Sequence, residues 1–221
     1  MAVVFVTGGT GYIGRPLLAR LVGAGHEVYA LVRARSAPRV PPGARVIEGD
    51  ALDEHTFQHR IPAGATFIHL VGTPHPSPAK AAQFASVDLV SIRAALAAAR
   101  SARVAHFIYV SVAHPAPVMQ AYIAVRSAGE ALLLASGLPG TVLRPWYVLG
   151  PGHRWPYALV PIYWLLRAIP ATRASALRLG LVTLADMLRS LEAAVAAPCT
   201  AGVRIVDVVT MLAARRAARG A

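Results

Sequence analysis

Three glycines at three-residue spacing, Gly8, Gly11 and Gly14, stand in the run Thr7-Gly8-Gly9-Thr10-Gly11-Tyr12-Ile13-Gly14. In such a run the first glycine allows a tight turn. The second lets backbone approach a pyrophosphate, and the third lets a following helix pack close to a sheet. The apolar stretch Val3–Val6 comes before it and a helical pattern follows, so the pyrophosphate would lie at a helix N-terminus.

The glycine run also predicts which dinucleotide is held. An acid about 20 residues downstream would hold a ribose 2′-hydroxyl. At that place the chain has Arg33, 19 positions after Gly14, with Arg35 close behind. Arginine suits a 2′-phosphate, so NADP is expected over NAD. Asp50 and Ala51 follow the third strand, within reach of an adenine. The loop beginning at Gly72, just after the strand ending at Val71, should also border the site. His69, His75, His106, His114 and His153 show no metal-ligand spacing, and no metal site is expected. Cys199, the single cysteine, is read as structural.

These residues need a scaffold. Strands are predicted at Val3–Val6, Glu27–Val32, Arg45–Glu48, Thr66–Val71, Val104–Ser111, Thr141–Leu143 and Val203–Val206. Between them helices are predicted at Tyr12–Ala24, Asp53–His59, Ala79–Arg100, Gln120–Ser136, Tyr157–Ala168, Thr183–Ala196 and Val208–Arg219. Continuously apolar strands fit a parallel sheet covered on both faces. The alternation predicts an α/β fold, a Rossmann-type doubly wound parallel sheet in three layers. Residues 1–150 would form its core and residues 151–221 a small extension on the substrate side. The loops Arg33–Gly43, Gly72–Pro78 and Ala113–Val118 each follow a strand and should ring the site.

Thr7-Gly8-x-x-Gly11-x-x-Gly14, Val32-Arg33, Gly49-Asp50, Val71-Gly72, Tyr109-Val110-Ser111, Ser136-Gly137-Leu138 and Leu143-Arg144-Pro145 fall in an order that resembles the short-chain dehydrogenase/reductases. The resemblance is to their atypical and extended branch, the NmrA-like and NAD-dependent epimerase-like proteins. It covers about residues 2–150 and extends loosely to Thr183-Leu184-Ala185-Asp186. It implies a Rossmann sheet, NAD(P), and hydride transfer to a carbonyl, enone, quinone or sugar nucleotide. The family's Tyr-x-x-x-Lys pair falls on Tyr122-Ile123-Ala124-Val125-Arg126, with arginine in place of lysine. Ser111 takes the family's serine, and the resemblance implies that Val71, Gly72 and Pro145 are cofactor contacts. It also implies that Tyr122, on one helix face with Arg126, acts as general acid on a carbonyl oxygen, with Ser111 donating a second hydrogen bond to that oxygen. Arginine carries a fixed charge on a wide fork, so it serves a tyrosine and a ribose less readily than lysine would. In many relatives the helices at Ala79–Arg100 and Gln120–Ser136 form a homodimer interface.

Composition narrows the reading further. The chain has 221 residues, 22 basic against 10 acidic, for a net charge of +12. All basic residues but Lys80 are arginine, and no acid falls between Asp88 and Glu130 or between Glu130 and Asp186. Such a field suits an anionic cofactor or an acidic surface. The arginines are scattered rather than clustered with aromatics, so nucleic acid is not expected. The apolar run Tyr157–Leu166 has ten residues, against the roughly 20 that a spanning helix needs, so no membrane span is expected. The N-terminus lacks a basic leader, and a cytoplasmic location is expected. Trp146, Trp155 and Trp164 crowd one stretch with Tyr147, Tyr157 and Tyr163. That stretch is expected first to pack as an extra helix on the sheet and wall a pocket for a small-molecule substrate, and second to dock on a membrane or a partner protein. The resulting expectation is an NAD(P)H-dependent oxidoreductase acting on a small apolar carbonyl, enone or quinone. The alternative is a catalytically silent NADPH-binding sensor or assembly protein. The short region after the sixth strand weakens a sugar-nucleotide epimerase.

Overall fold

The structure, a computed structural model, describes residues 1–151 and 160–220. Seven parallel strands form one sheet in the order β3-β2-β1-β4-β5-β6-β9. They are β1 (Val3–Thr7), β2 (Glu27–Val32), β3 (Arg45–Glu48), β4 (Thr66–His69), β5 (His106–Val110), β6 (Gly140–Arg144) and β9 (Val203–Asp207). The order reverses between β1 and β4, and in sheets of this kind ligands bind outside the carboxyl ends of the strands at that crevice. Two short strands, β7 (Val148–Leu149) and β8 (Val182–Thr183), pair in parallel beside it.

Helices cover both faces. They are α1 (Gly14–Gly23), α2 (Ala81–Gln83), α3 (Val90–Ser101), α4 (Gln120–Ser136), α5 (Val160–Ala168), α6 (Pro170–Arg178), α7 (Leu184–Ala196) and α8 (Val208–Gly220). One apolar cluster joins Val4, Val6 and Ile68 of the sheet to Leu17 and Leu21 of α1 and to Met187 and Leu191 of α7. The other joins Phe5, Phe67 and Phe107 to Ile92, Ala95 and Ala99 of α3. The sheet is therefore the middle of three layers, as expected. The C-terminal third shares the first cluster and supplies the edge strand β9.

Some expected elements differ. Asp53–His59 folds as two 3₁₀ turns, Glu54–Thr56 and Gln58–Arg60, rather than one helix. Asp53 caps the first by accepting from the His55 amide at 3.0 Å, and the Thr56 hydroxyl bonds back to the Asp53 carbonyl at 2.7 Å. These short local bonds tighten the chain below α-helical length. Strand β5 begins at His106 rather than Val104, because the Val104 amide closes the end of α3 on Ala99 O at 3.1 Å. Helix α6 and the two-residue strands β7 and β8 were not expected. Helix α6 buries only Ala176, so it carries no apolar periodicity to read. The expected helix Tyr157–Ala168 is seen from Val160 onward, and its first residues lie outside the described ones.

The helical stretch Pro78–Ser101 corrects the reading of apolar runs. It has 24 residues and is apolar enough to cross a membrane by length and composition. Here Ile92, Ala95 and Ala99 bury themselves against the sheet, as the inner face of a layer helix does. Its middle, Phe84–Leu89, is wound as a π-helix and turns Asp88 inward to 1% exposure.

Candidate functional site

A cleft of about 550 Å³ opens at the carboxyl ends of β1, β4, β5 and β6. Its floor is the glycine loop. Gly8 adopts φ +75°, and a Cβ there would lie 2.8 Å from the Leu70 carbonyl carbon. A Cβ on Gly14 would meet the Gly8 carbonyl oxygen at 2.3 Å. The loop is drawn so close on itself that only glycine fits at either place. Helix α1 follows with no side-chain cap and no acid in its first turn. Of its first amides, Arg15 N already donates to Gly11 O at 3.1 Å and Pro16 carries no N–H, so the glycine loop and the positive end of the helix are what fit a pyrophosphate.

The walls are mostly apolar. Leu70, Pro74, Pro76, Met119, Tyr122, Pro145, Trp146 and Tyr147 line them. Met119 and His75, both lining residues, hold positive φ of 61° and 48°. Non-glycine residues in that region cost about 1–3 kcal/mol, and the fold spends it at this rim. Ser111 lies in the wall at the end of β5. Its hydroxyl is buried and has no hydrogen-bond partner among the described residues. An orphaned donor in an apolar wall is costly unless something else meets it. Tyr122 stands on the same wall from the first turn of α4, its ring 5.0 Å from that of Phe84.

Arg126 does not line the cleft among the described residues. It shares the helix face with Tyr122, but its guanidinium lies below, 5.2 Å from the Tyr122 ring centre and 5.8 Å from that of Tyr109. Its Nη2 pairs with Asp88 Oδ1 at 2.7 Å, and its Nη1 donates to Val110 O at 3.1 Å. A Cβ on Gly72 would lie 2.0 Å from that Nη2, so Gly72 closes over the guanidinium like a lid. Burial disfavours the charged guanidinium, but Tyr122, Tyr109 and Asp88 more than offset this and hold its pKa above its usual value. Asp88 Oδ2 accepts from the Thr73 amide at 2.9 Å and hydroxyl at 2.6 Å. The pair therefore ties together the ends of β4 and β5, which carry the cleft walls. Deeper still, His69 bonds the Thr7 hydroxyl at 2.9 Å and the Ser91 hydroxyl at 3.3 Å. Burial, assisted by Arg126, lowers the His69 pKa to about 3, so the ring is neutral.

Other expected residues fall as follows. Gly8, Gly11, Tyr12, Ile13, Gly14, Gly72 and Pro145 line the cleft. Thr7 is buried beneath the turn, and a Cβ on Gly9 would lie 2.9 Å from Leu18 Cδ1, so both shape the loop from behind. Thr10 offers its carbonyl to Arg39 at 3.0 Å. Arg33 and Arg35 are exposed after β2, outside the cleft lining. Asp50 closes its own turn by accepting from the Leu52 amide at 3.0 Å, and Ala51 stands beside it. Val71 offers its carbonyl toward Arg126 at 3.4 Å. Trp146 and Tyr147 pack edge to face at 5.3 Å in the wall. Trp155, Tyr157 and His153 lie outside the described residues. Sequence reasoning missed Asp88, His69, Arg39 and Glu130. The only acid between Glu54 and Glu130 is Asp88, in an apolar helix, and that isolation was its signal. Glu130 is buried and clamps Arg144 beside Pro145, with His114 Nε2 at 3.5 Å.

Comparison with known proteins agrees with this geometry. A family model described as NAD(P)H-binding matches residues 8–155. The chain is 32% identical over 168 residues to "4-hydroxy-2-methyl-3-oxo-4-farnesyl-3,4-dihydroquinoline-1-oxide ketoreductase" of Stigmatella aurantiaca, covering 66% of this chain and 50% of that protein. It is 30% identical over 155 residues to "Ceramide reductase" of Caulobacter vibrioides, covering 68% and 47%. The chain thus spans about half the length of the curated relatives it matches. A short-chain dehydrogenase/reductase superfamily protein from Agrobacterium tumefaciens with bound NAD superposes with a TM-score of 0.68 at 18% identity, over 99% of this chain and 83% of that one.

Proposed function

The chain belongs to the NAD(P)H-binding family, and from that premise we propose that it is a reductase, preferring NADPH, that acts on an apolar carbonyl, enone or quinone. The observation that carries this reading is the Ser111 hydroxyl, buried and unpartnered in an apolar wall shared with Tyr122. A carbonyl oxygen brought to that wall would supply the missing acceptor. The glycine loop and the positive N-terminal end of α1 would hold the dinucleotide's pyrophosphate, and Arg33 and Arg35 its 2′-phosphate. When bound, the nicotinamide supplies a hydride to the acceptor. Ser111 donates a hydrogen bond to the acceptor oxygen and concentrates charge there. Tyr122 delivers the proton from its phenol. Pro74, Pro76, Met119 and Trp146 exclude water and select an apolar body. Two relatives bear the names of reductases of a farnesylated quinoline and of ceramide, which supports a greasy acceptor.

Equilibrium titration with NADPH and with NADH tests the cofactor half. Arg33→Ala should cost about 1.5–3 kcal/mol toward NADPH, or roughly ten- to a hundredfold, and little toward NADH. Turnover with a short-chain naphthoquinone and an aromatic ketone tests the rest. Loss of ketone turnover in both Ser111→Ala and Tyr122→Phe, with NADPH binding intact, is expected. Full ketone turnover in both would overturn the assignment.

A further inference from the structure

We propose that the hairpin of α5 and α6 is a docking face for an anionic lipid bilayer, set at the rim of the cleft so that an apolar acceptor can pass from the membrane to the site. The docking stands on its own observations. Only the nature of what passes rests on the reductase reading.

The hairpin has the composition of an interfacial element. Leu165 is 64% exposed, and Ile169, four residues on, is exposed as well. On α6, Arg173 and Leu177 are again four apart and both exposed, and of the nine residues only Ala176 is buried. Large aliphatic side chains interleaved with arginine do not make the continuous apolar patch of a protein interface. They suit the boundary between headgroups and acyl chains, where arginine stems lie along apolar surface and their heads reach phosphate. The charge has one sign throughout. Residues 131–185 contain Arg144, Arg154, Arg167, Arg173 and Arg178 and no acid. Arg173 has no ion-pair partner among the described residues, and Arg178 is bonded only to neutral oxygens, those of Pro115 and Ser175. Arg144 is paired with Glu130, but among the described residues no acid pairs with Arg173 or Arg178, and the positive face of α6 complements a negative leaflet.

The hairpin is also fastened to the cleft. Arg178 Nε donates to Pro115 O at 3.2 Å, tying α6 to the loop that carries Val118, 51% exposed, and the cleft residue Met119. Just past α6, the Val182 amide donates to the carbonyl of the cleft residue Tyr147 at 3.1 Å. The C-terminal end of α6, where Leu177 precedes Arg178, is therefore joined to the rim at two points. Trp146 and Tyr147, an alternative contact from sequence, are used in the cleft wall instead.

Flotation with vesicles of phosphatidylcholine alone and of phosphatidylcholine with phosphatidylglycerol reads the docking. The whole chain should float with the anionic vesicles at low salt, and 0.5 M salt should weaken this. Arg173→Glu should weaken partitioning about fivefold or more, and the double variant L165E/L177E at least tenfold. Both variants should keep the wild-type unfolding midpoint and NADPH affinity. Reduction of a vesicle-embedded long-chain quinone should fall in L165E/L177E, with reduction of a water-soluble short-chain quinone unchanged. Absence of flotation with anionic vesicles at low salt, undiminished flotation of L165E/L177E, or undiminished reduction of the embedded quinone by that variant would each overturn the proposal. Flotation without turnover of any acceptor would uphold the docking and overturn the reductase reading.

Discussion

Replacing Asp88 with alanine removes one half of a buried charge pair and leaves the other in place. Arg126 Nη2 lies 2.7 Å from the lost carboxylate, with the two side chains 7% and 0% exposed. Its charge then has no acid within reach. The Thr73 amide and hydroxyl lose their shared acceptor in the same step. Breaking such a pair from one side costs about 3–5 kcal/mol, because the remaining ion is desolvated and uncompensated. In a chain of this length that is a fall in unfolding midpoint of roughly 6–20 °C. It is also a large part of the 5–15 kcal/mol that usually holds a domain folded. Urea unfolding of wild type, Asp88→Ala, Arg126→Met and the double variant Asp88→Ala/Arg126→Met completes a cycle. The double variant leaves no stranded charge and should recover at least half of either single loss. Arg126→Lys, with no fork to span Asp88 and Val110 O together, should lose about 1–2 kcal/mol. Single losses below about 1 kcal/mol, or a double loss equal to their sum, would refute the buried pair and its role in bracing the two strand ends.

Three further outcomes follow from the same geometry. Gly14→Ala forces a Cβ to within 2.3 Å of the Gly8 carbonyl oxygen, so NADPH affinity should fall at least tenfold in isothermal titration; a dissociation constant within twofold of wild type would show that the loop yields. His69 and His106, held by burial at about 3 and about 4, stay neutral in the fold while the unfolded chain takes up their protons below about 6.5. Their stabilisation is complete above that pH and declines as pH falls toward 4, by roughly 2–3 kcal/mol at pH 4.5 for His69 alone. Urea midpoints at pH 7 and 4.5 should therefore differ less in His69→Asn than in wild type, and an equal difference would refute a neutral buried ring. Tyr122→Phe should lower kcat for a ketone by about 10²–10⁴-fold with little change in NADPH binding, and an unchanged kcat would remove the phenol from proton delivery.

The centre of the sheet was legible because strands such as β1 are apolar runs, and burial on both faces demands that pattern, while the edge strands β3 and β9 are largely exposed. Strands β2 and β3 and helix α4 fall on the expected residues. The phosphate loop was legible because each glycine answers a separate steric need, and the structure shows the two tightest, at Gly8 and Gly14. Strands β7 and β8 were not legible, since two residues carry no period. Helix α6 was not legible because most of its residues face outward. The network under the cleft was harder still. Asp88 and Ser91 share one helical stretch, the Ser91 hydroxyl donating to Asp88 O at 3.0 Å, but His69 and Thr73 come from the end of β4 and its loop, and nothing in the spacing brings the two pairs together before the sheet does.

Arg126 shows where spacing stops being informative. Four residues of helix fix a face, and Tyr122 and Arg126 do share one. They do not fix a depth. Tyr122, nearer the N-terminus of α4, meets the cleft, and Arg126, one turn farther along, lies against Val71, Val110 and Asp88. A lysine at that place would present a single point charge on a flexible stem. The planar fork of arginine instead suits two strand-end carbonyls and a carboxylate at once, and Asp88 is turned inward by the π-helical segment to receive it. Arginine and aspartate thus make sense as a pair: the same cation that leaves the cleft braces its walls. Of the three residues the sequence singles out for catalysis, Ser111 and Tyr122 line the cleft, and Arg126 meets it only through the Tyr122 ring, 5.2 Å from the guanidinium.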